Sequence, residues 1–119
     1  METVNLTEKL ESFSDYWNPK VVGELNGQQV KLVKLKGEFV RHHHEHEDEL
    51  FMVIRGCLRI KLPDRQVEIN PLEFFIVPRG VEHCPEADEE CHVLLLEPAS
   101  TLNTGNVRNE RTVEELQRI

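Results

Sequence analysis

The sequence predicts an all-β domain. Short apolar runs recur between turn signals at close spacing, one run alternates apolar and basic residues along a strand, and no segment carries the pattern of a long helix. Such a pattern belongs to a sandwich or barrel, here of about nine or ten strands spanning roughly residues 20–98. Terminal segments 1–19 and 99–119 flank it, each reading as a short helix.

At the N-terminus, Asn5-Leu6-Thr7-Glu8 has the form of a capping box, and Leu6, Leu10 and Phe13 follow at helical spacing. Asn26-Gly27 is a hairpin turn joining Val21–Leu25 to Val30–Leu35. Gly37 punctuates the next step, and Phe39–His44 reads as extended. Leu50–Ile54 is a continuous apolar run ended by Arg55-Gly56. Leu58, Ile60 and Leu62 then alternate with Arg59 and Lys61, so this strand has one wet face. Pro63-Asp64 turns the chain into Val67–Ile69, and Asn70-Pro71 turns it into Phe74–Val77. Pro78-Arg79-Gly80 forms another corner, and Val93–Leu96 is the last clear strand. Thr112-Val113-Glu114-Glu115 repeats the capping pattern, with Val113, Leu116 and Ile119 on one stripe. Because Leu50–Ile54 is apolar on both faces, its outer face needs cover from a second sheet or subunit, and a homodimer is expected.

Bulk properties exclude several roles. A chain of 119 residues makes one domain with a real core. Its net charge of −8, from 14 basic and 22 acidic residues, argues against nucleic acid or anionic membrane as the main partner. The start lacks the basic and apolar regions of a secretory signal, and no apolar run approaches the roughly 18 residues that cross a bilayer. A cytoplasmic location follows as an expectation. Cys57, Cys84 and Cys91 read as free thiols of a reducing compartment, with Cys84 a small buried hydrophobe.

The chemistry concentrates in Arg41-His42-His43-His44-Glu45-His46-Glu47-Asp48-Glu49, which holds four of the six histidines. Imidazole and carboxylate together suit a divalent transition metal: iron, manganese, nickel, copper or zinc. The run lies between apolar stretches, unlike a terminal tag. On a strand, His42 and His44 share a face about 6.6 Å apart, close enough to converge on one ion. His43 then faces the other way, and His46 falls on the loop beyond. Glu49 opens the next strand, on the face shared by Phe51 and Val53. A helical reading would instead stack His42, His46 and Glu49; the turn-bounded flanks favour the strand. Far along the chain, Pro78-Arg79-Gly80-Val81-Glu82-His83 sets another histidine just after a rigid corner. Glu45, Glu47, Asp48, Arg41 and Arg79 read as solvated charges, and His92 as structural.

The pattern His42-x-His44, four residues, Glu49, six residues, Gly56 resembles the first motif of the cupin superfamily, and Pro78-x-Gly80, two residues, His83 resembles the second. The resemblance implies a double-stranded β-helix, or jelly-roll barrel, with a metal bound by His42, His44, Glu49 and His83. Three positions depart from the family pattern. Gly37 is one residue too close to the first histidine, Leu72 stands where the second motif begins with glycine, and Ala87 replaces an asparagine. Within the superfamily the chain looks most like short cupins similar to mannose-6-phosphate isomerase, through the tail Asn103-Thr104-Gly105-Asn106-Val107-Arg108-Asn109-Glu110-Arg111-Thr112. A phosphate substrate would want a basic cradle, and none is evident. Three histidines and one glutamate leave coordination positions open, which implies a metal-dependent enzyme, of oxygenase or isomerase type, acting on a small polar metabolite. The other readings are a non-catalytic metal-dependent binding or sensor module and a metal-free barrel.

Overall fold

The computed structural model describes residues 1–119 and resolves the apolar runs into seven antiparallel strands and one helix. The helix α1, Leu6–Glu11, starts where Asn5 Oδ1 accepts the Glu8 N–H at 3.1 Å, and only Leu10 of it is buried. The strands are β1 Lys20–Leu25, β2 Gln28–Glu38, β3 Glu49–Arg55, β4 Leu58–Lys61, β5 Gln66–Ile69, β6 Phe74–Val77 and β7 Cys84–Pro98. Asn26 and Gly27 turn β1 into β2 with φ of 50° and 76°, the left-handed pair that a tight hairpin requires.

The 15-residue β7 organises the barrel. It pairs with β2 along most of its length, with β4 over Cys84–Glu86, and with β3 from His92 to Leu96. β6 adds to the far side of β3, and β5 pairs with β4. The result is a jelly-roll barrel. Alternation sends Val33 and Leu35 of β2, Phe51 and Val53 of β3, Leu58 and Ile60 of β4, and Cys91, Val93 and Leu95 of β7 into one apolar core.

Several sequence expectations are corrected. Seven strands form, not nine or ten. Phe39–His44 is extended but makes only an isolated bridge, His42 to His83, and is not helical. The strand expected at Val93–Leu96 begins nine residues earlier, at Cys84. Its first half, with Pro85 and the acidic Asp88–Glu90, has little intrinsic strand character; pairing with β2 and β4 imposes it. The C-terminal helix does not form. Instead Gln117 O accepts the Val21 N–H at 2.9 Å, and Ile119 N donates to Val21 O at 3.1 Å, so the tail lies along the edge of β1. An isolated helix this short is marginal, and the unpaired edge of β1 offers its backbone groups definite partners.

The three motif departures have local consequences. Gly37 sits at the bulge where β2 shifts register against β7. Leu72 keeps the left-handed backbone (φ 68°) favoured by the glycine it replaces, and its side chain is 82% exposed. Ala87 is fully buried in the core cluster.

Two surface features follow from register. On β4 and β7, Arg59 and Lys61 both bond Glu86, and Arg59 also bonds Asp88. Hydrogen bonds from Arg59 first, and Lys61 next, hold the Glu86 carboxyl down at about 2. A carboxylate held below its unfolded value stabilises the fold above that value, and the contribution is lost as pH falls toward 2. Glu86→Gln should therefore lower stability at pH 7, with the difference from wild type shrinking below about pH 4.5 and vanishing near pH 2. Urea melts across that range test this; a difference independent of pH would refute it.

On the outer sheet face, Ile76 and Phe74 of β6 pair with Leu50 and Met52 of β3, which pair with Leu96 and Leu94 of β7. Paired residues point the same way, so these six side chains form one apolar surface, with Phe74 60% and Ile76 48% exposed.

Candidate metal centre

His42, His44, Glu49 and His83 are all buried, and one ligand atom from each lies within 4.8 Å of the others. His42 and His44 share a face because the chain between them is extended; the ring centroids are 4.9 Å apart. Glu49 begins β3 on the inward register of Phe51 and Val53. His83 arrives through the Pro78–Gly80 corner. Gly80 N donates to His44 O at 2.7 Å, His42 N to His83 O at 3.0 Å, and His83 N to His42 O at 2.8 Å. Three backbone bonds thus stitch the two distant motifs together and set the His42 and His83 rings 4.4 Å apart.

The hydrogen bonds decide which ring atoms face inward. Nδ1 of His42 and Nδ1 of His83 each lie 2.9 Å from a carbonyl oxygen, that of Val40 and that of Val81. A carbonyl only accepts, so each ring donates from Nδ1 and, in its neutral form, turns the Nε2 lone pair to the centre. Glu49 Oε1 lies 3.2 Å from His83 Nε2 and 3.4 Å from His44 Nε2. His44 Nε2 is buried without a hydrogen-bond partner. Lone pairs facing a carboxylate in a buried site call for a cation among them. The donor set fits a divalent ion held by roughly 2 Å bonds. Burial, and then the neighbouring His83, push His42 down to about 4, so its ring is neutral at neutral pH, as a ligand must be.

Sequence reasoning missed a second carboxylate. Glu97, near the end of β7, is buried against Glu49, and Lys31 Nζ of β2 donates to Glu97 Oε1 at 2.7 Å. Burial works against charge on both carboxyls. For Glu49, the side chain of Glu97 works against burial most strongly, and the carboxyl is held well below the usual carboxylate range. Glu97 is driven well above that range, by burial first and then by the Glu49 charge, with Lys31 offsetting only part. The two carboxyls thus diverge, Glu49 toward the charged form and Glu97 toward the neutral one, with the Lys31 ammonium beside them. The inward alternation of Lys31, Val33 and Leu35 was a signal for this, since it puts a lysine on the core face.

A cavity of about 40 Å³ adjoins the cluster, bounded by His42, Glu49, Glu97 and Asn103 at its polar end and by Trp17, Val33, Leu35, Phe39, Phe51 and Leu95 elsewhere. No lysine or arginine lines it. Trp17 and Phe39 stack at 4.6 Å, with the Arg111 guanidinium over both rings. The other candidates lie outside the centre. His43 faces away and bonds Glu45, and His46 is exposed. Arg41 and Arg79 are exposed and pair with Glu82 and Asp48. His92 bonds Glu90. Cys84 is buried, and burial raises its thiol.

Three imidazoles and a carboxylate converging inside an antiparallel jelly-roll define a small barrel protein whose centre can hold a metal. The cupin domain family matches residues 30–97, and the chain belongs to it. It is similar to a cupin-2 domain containing protein of Shewanella frigidimarina, 42% identical with a TM-score of 0.80 over 81% of this chain and 94% of that one. It is also similar to a Neisseria meningitidis protein, 30% identical with a TM-score of 0.76 over 82% of this chain and all of that one. The Bacillus subtilis protein YdbB is 33% identical over 63 residues, 52% of this chain; the match spans 56% of that protein's length. No helix is long and apolar enough to cross a membrane.

Proposed function

We propose that His42, His44, Glu49 and His83 bind one divalent transition-metal ion and that the protein is a metal-dependent enzyme of oxygenase or isomerase type. The observation that carries this is the set of inward-facing imidazole nitrogens gathered around the buried Glu49 carboxyl. When bound, the ion would supply Lewis acidity or redox chemistry at the positions the four ligands leave open. The residues supply the rest. Carbonyls of Val40 and Val81 orient two of the rings, Glu49 offsets the charge of the ion, and Glu97 lines the cavity edge.

The cavity limits the substrate. Its small volume, about 40 Å³, and largely apolar wall suit the reacting end of a compact substrate. That end is an oxygen donor such as a hydroxyl, carbonyl or carboxylate, and the adjoining portion is compact and apolar. A phosphoryl group finds no basic residue there. Protein purified without added metal should contain about one ion per chain, and oxygen-consumption and isomerase assays on iron-, manganese- and zinc-loaded protein should find turnover. Ligand binding with no product from any loaded form would make it a metal-dependent binding module instead.

A second copy of this chain covers the apolar face formed by Leu50, Met52, Phe74, Ile76, Leu94 and Leu96. Sedimentation at micromolar concentration should find a dimer that Phe74→Glu disrupts; a monomeric wild type would refute this.

A further inference from the structure

The tail after β7, whose Asn103 bounds the cavity, also packs directly on the ligand segment. Asn106 Oδ1 accepts the His43 N–H at 2.8 Å, and Asn106 N donates to His43 O at 3.1 Å. The neighbouring residue, His42, has its own N–H and carbonyl paired on the opposite edge with His83. Extended backbone exposes successive residues' polar groups to opposite edges, so His42–His43 is held from both sides, although neither neighbour is a full strand. Gly105 closes the contact. Its φ of 56° suits glycine, and a methyl group on its Cα would lie 2.2 Å from His43 O and 2.9 Å from His42 Cδ2.

The tail is itself braced. Asn103 accepts the Val113 N–H at 2.9 Å and donates to Arg111 O at 2.8 Å. Buried Thr104 bonds Val107 O and the Thr112 hydroxyl, and Arg111 donates to Glu38 O at 2.7 Å. These bonds make residues 103–113 a compact loop whose near edge cannot shift alone.

We propose that Gly105 and Asn106 are positioning residues of the metal centre: they fix the backbone of His42–His43 so that the His42 and His44 rings stay aimed at the ion. The inference rests on the metal-binding reading. Its consequence is that metal affinity depends on residues more than 60 positions from the histidines they hold.

Zinc affinity by chelator competition, the visible spectrum of the cobalt-loaded protein, and melting of the metal-free form should be compared for wild type, Asn106→Ala and Gly105→Ala. Arg118→Ala, which removes only the tail-end pair with Glu24, serves as the control. Loss of a group supporting a ligand typically costs 10–100-fold in metal affinity, and a weakening of about tenfold or more is expected for both tail variants. The cobalt spectrum should change with it, while Arg118→Ala matches wild type. If Gly105→Ala fails to fold, Asn106→Ala decides. Wild-type zinc affinity and an unaltered cobalt spectrum in Asn106→Ala would overturn the positioning role alone. A wild type that binds no ion would overturn the metal reading and this role with it.

Discussion

His83→Ala is expected to abolish metal retention at concentrations that saturate the wild type. His83 is fully buried, its Nδ1–H is committed to Val81 O, and its Nε2 lies 3.2 Å from Glu49. Nothing nearby can replace that nitrogen, because the Pro78–Gly80 corner delivers a single imidazole. Losing a residue that merely supports a ligand already costs 10–100-fold in affinity, so losing a ligand should cost more than about 100-fold. Thermodynamic linkage makes this visible without an activity assay. Free metal at 100 times its dissociation constant should stabilise the wild type by about 2.7 kcal/mol, and a 100-fold weaker variant by only about 0.4 kcal/mol. Melting each protein with and without metal separates this loss from any destabilisation of the metal-free fold. His43→Ala and His46→Ala should keep the full stabilisation, since neither ring reaches the centre. Equal metal-induced stabilisation in His83→Ala and wild type would sink the ligand set.

Lys31→Met should be the most damaging single change away from the histidines, destabilising the metal-free protein by about 3–5 kcal/mol. Lys31 is 1% exposed, and its ammonium is the cation that balances the charge shared by Glu49 and Glu97. Methionine preserves much of the side-chain volume but leaves a buried carboxylate charge without compensation. If charge is the cause, a variant that also removes the charged carboxylate should recover stability. Lys31→Met/Glu49→Gln is thus expected to be less destabilised than Lys31→Met alone, and the coupling is read from a double-mutant cycle in urea. A Lys31→Met variant within about 1 kcal/mol of wild type would show that the ammonium balances nothing of consequence.

These two expectations lean on different kinds of information. His83 is legible in the sequence alone, because a Pro-x-Gly corner followed by a histidine resembles the second cupin motif, the counterpart of the one containing His42, His44 and Glu49. Glu97 is not. It sits in Leu94-Leu95-Leu96-Glu97-Pro98, where the glutamate reads as the polar end of a strand, and Lys31 reads as one of several lysines on β2. Their partnership across 66 residues appears only when β2 and β7 take their register, which pairs Lys31 with Leu95 and Gln29 with Glu97.

The C-terminal segment teaches a related lesson. Its capping pattern and apolar stripe are real sequence features, but a helix of that length gains too little by itself to compete with the open edge of β1.

What the sequence determined by itself were the properties carried by local covalent geometry. Turn residues mark where strands end, and period-two alternation puts His42 and His44 on one face and His43 on the other. Short-range spacing supplies Glu49, and a rigid corner supplies His83. Tertiary structure decided which distant groups meet: the carboxyl of Glu97 against Glu49, the ammonium of Lys31 behind it, and the tail clamped on His42–His43. Those meetings depend on strand register and on how the barrel closes, and both are set by the packing of the whole chain.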